Sequence, residues 1–531
     1  MVDFILRGGT IIDGSGRSCF SGDIVIDSGV ILHVGESSRF QSEHIRNLQG
    51  KVVTPGFIDI HSHSDFPIYV DGLGQSGIRQ GITTSVIGNC GHGPAPAPDK
   101  EMAKQVTIGV NDDWGIDFNW TTFDEYLSEL LSVGQSMNVA PLVAHGAIRV
   151  AAMGYAPRLP SKTELENMGS MLDAAMSAGA LGLSTGLEYS PGRHADTDEL
   201  IYLSKIVGRF GGIYASHIRE RGDDFEGAVN EALNIGLKGD VQVQLSHLAP
   251  RPYAPTNILD KILANIHKAI LDGQSVGIDT FPDPWGPAHL LDLVPSWVYE
   301  GSEDEVLTRL KDPDTAEKCY EYVYNKGNFL LRLSGFDQFY LSYSRSYPEF
   351  MSMSLDSISK DWGIDIVQTI LKLAAADGKD FGSVLIRHIF STEDDLDQLL
   401  KDPLCSVGSD GAVASKEGLL KELKMNRSSF GYVPRTIEEY SIKRGLFSVE
   451  EAVRKMTSLP ASQINVRDRG TIEAGKVADV VVIDLETLAD LSTDDQPQQY
   501  PTGIDTVLVN GEIVFEDGAH TMRRPGKILR I

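Results

Sequence analysis

Cysteine is scarce in this sequence. Its four cysteines, Cys19, Cys90, Cys319 and Cys405, stand far apart in 531 residues with no CxxC pair, which excludes a disulfide framework and a structural zinc finger and fits a reducing, cytoplasmic setting. Positive charge is also short, with 47 Lys and Arg against 74 Asp and Glu and a net charge of -27. Such a surface repels phosphate backbones and anionic membranes, so neither nucleic acid nor a membrane is an expected partner. No stretch approaches the roughly 20 apolar residues of a membrane-spanning helix. The opening "MVDFILRGGTIIDGSG" has an apolar stretch too short and too interrupted for a secretory signal. The expectation is a cytoplasmic protein acting on a small molecule, built as one large barrel-type domain with an appendage or as several ordinary domains.

Both ends of the chain carry short alternating strands split by Gly and Asp turns, as in "DFILRGGTIIDG", "GDIVIDSGVILHVG", "KVADVVVIDLE" and "TVLVNGEIVFEDG". Each set alone makes too small a sheet. Residues 1–57 and 461–531 are therefore expected to join as one discontinuous β-sandwich domain, since chain ends often meet at a domain surface. Between them a β-branched run ending in a polar residue recurs, each followed by a helical stretch: "FIDIHSH", "TTSVIGNC", "NVAPLVAHG", "ALGLSTG", "GIYASH", "VQVQLSH", "SVGIDTF", "GSVLIRH" and "LCSVGSD". That alternation predicts an α/β fold, a TIM-like (β/α)8 barrel over 58–460. Nine runs are one too many, and "GSVLIRH" is the one expected to fall outside the barrel. The stretch at about 286–380, with helical segments such as "SEDEVLTRLKDP", breaks the rhythm and reads as a lid-like insertion.

In a barrel of this kind the chemistry gathers at the C-terminal strand ends, and here those ends are rich in ligands. His61 and His63 are two residues apart, so in a strand they point to the same side. After them come Cys90, His145, His217, His247 and Asp410. Imidazole, thiolate and carboxylate are the donors zinc prefers, and a catalytic zinc keeps one position for water. Each residue has a plainer alternative. Cys90 could be an ordinary buried thiol, although "GNCG" sets it in a Gly-flanked turn after a strand. His217 and His247 could be satisfied core histidines, although "YASH" and "QLSH" both end a β run. Asp410 could merely cap a helix. His145 is read as lining the site rather than as a ligand.

"TPGFIDIHSHSD", "GITTSVIGNCGHGPAP", "GLSTGLEYSPG", "YASHIRERGDDFEGAVNEAL", "VGSDG", "KMTSLPAS" and "RGTIEAGKVADVVVID" together resemble the amidohydrolase superfamily, and within it the N-acyl-D-amino-acid deacylase (D-aminoacylase) family. The resemblance implies a barrel with a β-sandwich from both termini and zinc-dependent cleavage of a linear amide. It also implies that Cys90, His217 and His247 hold the tightly bound zinc, with a second, weaker position at His61, His63 and Cys90. Asp410 becomes the general base and then the general acid.

Three departures bear on the substrate. Where the family often has His-Lys after the second zinc histidine, this chain reads "SHLAPR", with Leu248 and Ala249; the "D-x-Y-P-Y" turn reads "DTFPDPW", with Phe281 and Asp283; and the His-Pro-Arg loop reads "NRSSFG". Tyr189, Arg251, Asp283 and His145 are the expected substrate-binding residues, Arg251 being the nearest cation to replace the lysine, with Arg387 and Arg427 behind it. Two rival readings are an amidohydrolase acting on a cyclic amide or imide, or on an amide lacking a free carboxylate, and an inactive scaffold with the same fold. The first usually bridges two metals with a carboxylated lysine that the strand ends lack, and the second should have lost ligands that are all present here.

Overall fold

The computed structural model describes residues 1–100, 114–115, 117–325, 330–332, 335–423 and 426–531. Eight of the nine runs form one parallel sheet: Phe57–Asp59, Ile82–Ile87, Asn138–Ala144, Gly182–Gly186, Ile213–His217, Gln242–Leu245, Val276–Thr280 and Cys405–Val407, in that spatial order. These strands are almost wholly buried, as expected for parallel strands covered on both faces. Their residues alternate between two cores. Val143 and Tyr214 face outward onto helix residues such as Leu172 and Val207, while Leu142, Ile213 and Ala215 point inward with Ala461 and Ile464.

The sheet closes beyond the first and last strands. Ser62 and Gly411 form a parallel bridge, His63 N donates to Gly411 O at 2.7 Å and Asp410 N to His61 O at 2.9 Å. Closure therefore sets the "HSH" segment against Asp410, although 347 residues separate His63 from Asp410.

"GSVLIRH" lies outside the barrel. Leu385–Ile389 is the middle strand of a separate antiparallel sheet between Trp285–His289 and Tyr340–Tyr343. The chain from the first of these strands in sequence to the last, residues 285–389, carries its own core, including Leu293, Val306, Leu310, Leu341, Leu355, Val367, Ile370 and Ile386. Residues 326–329 and 333–334 of this stretch lie outside the described residues.

Strands from the two chain ends make a single nine-stranded sheet, joined where Val52–Pro55 pairs antiparallel with Val480–Ile483. Ile24 and Ile31 from one half share a core with Val480 and Leu508 from the other. Val481, Ile483 and Val507 point the other way, into the barrel core. Among the described residues no helix is long and apolar enough to cross a membrane.

Candidate active site and metal centre

Each donor expected at a strand end is fixed there by a local device. Asp59, at the end of the first strand, accepts from Ser409 N at 2.9 Å and Ser409 Oγ at 2.7 Å, which ties the Asp410 loop to the His61 loop. Asn89 Nδ2 donates to Val86 O at 2.9 Å and Ser62 O at 3.3 Å, holding the Cys90 turn against the same loop. In that turn Gly88 has φ +79°, and a side chain there would begin 2.2 Å from Leu142 O, so only glycine fits.

Backbone strain marks the centre. Cys90, His247 and Asp410 have φ of 56°, 34° and 44°, a region costing a non-glycine residue about 1 kcal/mol or more. Three donors from three strand ends share it, which the sequence signals only through the glycines around Cys90 and after Asp410.

The side chains converge. Cys90 Sγ lies 3.1 Å from His61 Nε2 and 3.4 Å from His247 Nε2; Asp410 Oδ1 lies 3.2 Å from His63 Nε2 and 3.5 Å from His61 Nε2. Burial pushes the Cys90 thiol up, but the charges of His61 and His247 and hydrogen bonds from His217 and His247 bring it well below the usual thiol range. Burial likewise raises Asp410, and the His63 hydrogen bond with the charges of His61, His247 and His63 holds it below the usual carboxylate range.

The donors fit a metal. His61, Cys90 and His247 form one buried group with ligand atoms within 4.8 Å of one another, and His61, His63 and Asp410 form a second. His217 is outside both groups, yet its ring meets His247 edge-on at 4.4 Å and Tyr189 edge-on at 5.0 Å. The far side of the rings is also prepared: His61 Nδ1 lies 3.1 Å from Asp279 Oδ1 and His217 Nε2 2.7 Å from Glu188 Oε2. Carboxylates placed behind imidazoles in this way fix the ring and raise its basicity as a ligand. His63 Nδ1 is buried without a hydrogen-bond partner, a nitrogen that a bound ion or water would satisfy.

Beside this centre opens a cavity whose lining includes His63, Cys90, His217, His247 and Asp410. Part of the wall comes from the antiparallel sheet, through Pro287, His289 and His388, and from Phe390 just after its middle strand. Tyr189 is in the cavity, with its hydroxyl donating to Cys90 O at 2.7 Å and its ring stacked on His92 at 4.9 Å. Arg251 is there too, buried. Leu248 and Ala249 are buried in the core and bring no cation.

Two expected substrate residues are elsewhere. Asp283 lines a second cavity with Arg387, Arg427 and Asp494; its carboxylate is held 2.8 Å from Arg435 and 3.1 Å from Arg427, because the chain turns into the antiparallel sheet just past the barrel strand. His145 is turned away, its Nε2 2.8 Å from Glu199, which also binds Arg149. Asp279, Glu188 and Arg221 were not singled out by sequence reasoning. Asp279 had one available signal, its place in the strand-end run "SVGIDTF".

A closed parallel barrel with imidazole, thiolate and carboxylate donors at its strand ends defines a barrel metalloenzyme. The chain belongs to the amidohydrolase family, whose description matches residues 44–205 and 373–515, and within it to the N-acyl-D-amino-acid deacylases. It is 32% identical to the N-acyl-D-glutamate deacylase of Alcaligenes xylosoxydans xylosoxydans, covering 100% of this chain and 96% of that one. The N-acyl-D-glutamate deacylase of Bordetella bronchiseptica, solved with zinc and a phosphonate mimic of the reaction's tetrahedral intermediate, superposes with a TM-score of 0.82 at 31% identity over the whole of both chains. A D-aminoacylase structure described by its binuclear metal centre, with one-metal activation and second-metal attenuation, gives 0.81 at 28% identity, again over both whole chains.

Proposed function

We propose that this protein deacylates N-acyl-D-amino acids by zinc-dependent hydrolysis, in a reducing compartment such as the cytoplasm, where its four unpaired cysteines stay reduced. The observation that carries the reading is the meeting of Cys90 with His61 and His247 beside Asp410, on the wall of one cavity. Cys90, His217 and His247 would hold one zinc tightly, and His61, His63 and Cys90 a second more weakly. Bound there, zinc supplies Lewis acidity to a carbonyl oxygen and lowers the pKa of water toward about 7.

The protein's own part is proton transfer and placement. Asp410, kept ionised by its histidine neighbours, accepts a proton on its carboxylate from the attacking water. The water oxygen bonds to the amide carbon, and the resulting tetrahedral species must expel an amine, a poor leaving group. Asp410 returns the proton to that nitrogen as the C–N bond breaks, releasing a carboxylic acid and a free amine, a step worth about 10²- to 10⁴-fold. Tyr189, braced on His92 and Cys90 O, shapes the wall, and Arg251 offers a cation to a substrate carboxylate. The cyclic-amide alternative loses ground because no lysine is among the described cavity residues.

Zinc-loaded protein should be assayed on N-acyl-D-amino acids, their L-enantiomers and their amides. Turnover of the D-acids is expected. Failure on every N-acyl-D-amino acid, or turnover confined to L-enantiomers, overturns the reading.

A further inference from the structure

Behind the metal donors lies a buried carboxylate that the deacylation chemistry leaves without a role. Glu188 belongs to "GLEYSPG", just past the strand Gly182–Gly186. Its Oε2 accepts from three groups, His217 Nε2 at 2.7 Å, Arg251 Nη2 at 2.7 Å and Arg221 Nη2 at 3.2 Å. Glu188, Arg221 and Arg251 are 7%, 0% and 2% exposed, so water competes little for these contacts. An ionised carboxylate can only accept, which puts the His217 proton on Nε2. In the neutral ring Nδ1 then keeps its lone pair and is the nitrogen left for a metal.

Arg221 reaches the other histidine of the same set. Its Nη1 lies 3.3 Å from His247 Nδ1 and donates to His247 O at 3.2 Å, while its Nη2 holds Glu188. One guanidinium therefore spans the carboxylate behind His217 and the backbone of His247. That backbone needs holding, because His247 has φ of 34°, in the region a side chain other than glycine's disfavours. Arg221 is itself fixed: its carbonyl accepts from Arg251 N at 2.9 Å, and its guanidinium lies 4.2 Å from the Phe390 ring centroid. The flat, forked head of arginine suits two contacts in different directions, which the single ammonium of lysine meets less well.

We propose that Glu188 and Arg221 are positioning residues of the tight zinc site: Glu188 turns His217 Nδ1 toward the metal, and Arg221 holds Glu188 and the strained His247 in one register. The proposal rests on the placement of zinc at Cys90, His217 and His247, and it gives a reason for the unequal strength of the two metal positions. Both histidines of the tight position are braced by this pair of residues, whereas at the weaker position His63 Nδ1 has no hydrogen-bond partner. Removing a group that orients a metal ligand typically lowers metal affinity about 10- to 100-fold.

The test reads zinc rather than turnover. Full-length protein is stripped of metal, reloaded with zinc, titrated with a competing chelator, and melted with and without zinc. Glu188→Gln keeps the volume and removes the charge, and it should loosen the tightly held zinc by about 10- to 100-fold while shrinking the rise in melting temperature that zinc gives the wild type. Arg221→Met, similar in length but without donors, should act in the same direction, and Arg221→Lys should recover part of the affinity. A purely structural cluster gives another pattern, in which the metal-free variants melt lower but zinc affinity and the zinc-induced rise match the wild type. That pattern overturns the proposal. If the variants do not fold, a crystal structure of the zinc-loaded wild type decides. Zinc on His217 Nδ1, with Nε2 on Glu188 and Arg221 touching both Glu188 and His247, upholds it; zinc on His217 Nε2, or His217 away from the metal, defeats it. A wild type that binds no zinc would defeat the metal placement and the proposal together. These readouts do not depend on turnover of any N-acyl-D-amino acid, so failure of the deacylase reading and failure of the proposal are told apart.

Discussion

Two sets of residues around the active cavity are assembled by opposite means. Among the candidate metal donors each sits at or just past the end of a parallel strand, and barrel register, with the Asp59–Ser409 and Asn89 hydrogen bonds, brings Cys90, His247 and Asp410 to one mouth. Beside them Arg221 and Arg251 come from loops beyond the strands, and His388 and Phe390 from a strand that is no part of the barrel and the residue after it. A donor held by strand register has little freedom, so the chemistry is set by the architecture. A wall held by pairwise contacts, such as Glu188 with two arginines, can be changed a residue at a time, so specificity is set by neighbours.

The sharpest way to break the contrast is at Cys90, which touches both proposed metal positions. Cys90→Ala should remove most bound zinc and nearly all activity while the barrel still folds; metal analysis beside circular dichroism checks this, and undiminished zinc would remove Cys90 from the centre. Asp410→Asn comes next. It keeps the shape but cannot take up the proton, so zinc should stay bound while turnover falls by at least 10²- to 10⁴-fold, as for an acid–base group. Near-normal turnover would leave Asp410 as a loop anchor.

Away from the metal end, effects should pass from chemistry to stability. Asp283 is buried between Arg435 and Arg427, so Asp283→Asn leaves two guanidiniums facing each other and should cost roughly 3 kcal/mol. Denaturant unfolding would show the loss, while kcat per folded molecule should hardly move, because Asp283 faces the second cavity. A large fall in kcat would return it to the substrate site.

The smallest expected effect is a slope. Burial, aided by Arg251 and Arg221, pushes His388 down to about 3, below the roughly 6.5 of an unfolded histidine. As pH falls from about 6.5 toward about 3, the unfolded chain takes up a proton that the native one refuses. His388 therefore contributes stability above about pH 6.5 that is lost on acidification. Replacing it with Asn should flatten the unfolding free energy over that window relative to wild type; an unchanged slope would mean that His388 is protonated in place.

Much of the metal end was legible in the sequence, because a strand's period of two and a polar residue at its end are local signals. His61, His63, Cys90, His217 and His247 could be read off the runs that carry them, and "GSVLIRH" stood apart as a ninth run in an eight-stranded pattern. The same logic failed at His145. It too follows a strand, yet Glu199 from a distant helix captures its ring. It failed again at Asp283, three residues past a barrel strand but turned to the other face of the ribbon by Arg435.

Composition, strand periodicity and the order of polar run ends by themselves determined that this chain is an α/β barrel with imidazole, thiolate and carboxylate side chains at one mouth, since each of those signals is a property of a few consecutive residues. Which carboxylate stands behind which imidazole was decided only in three dimensions. Asp279 accepts from the His247 backbone and lies beside His61, which is 218 residues away. Glu188 meets His217, Arg221 and Arg251 at one oxygen. The reason is physical: hydrogen bonds and ion pairs act over about 3 Å between side chains whose directions depend on packing, and no spacing along the chain encodes that direction.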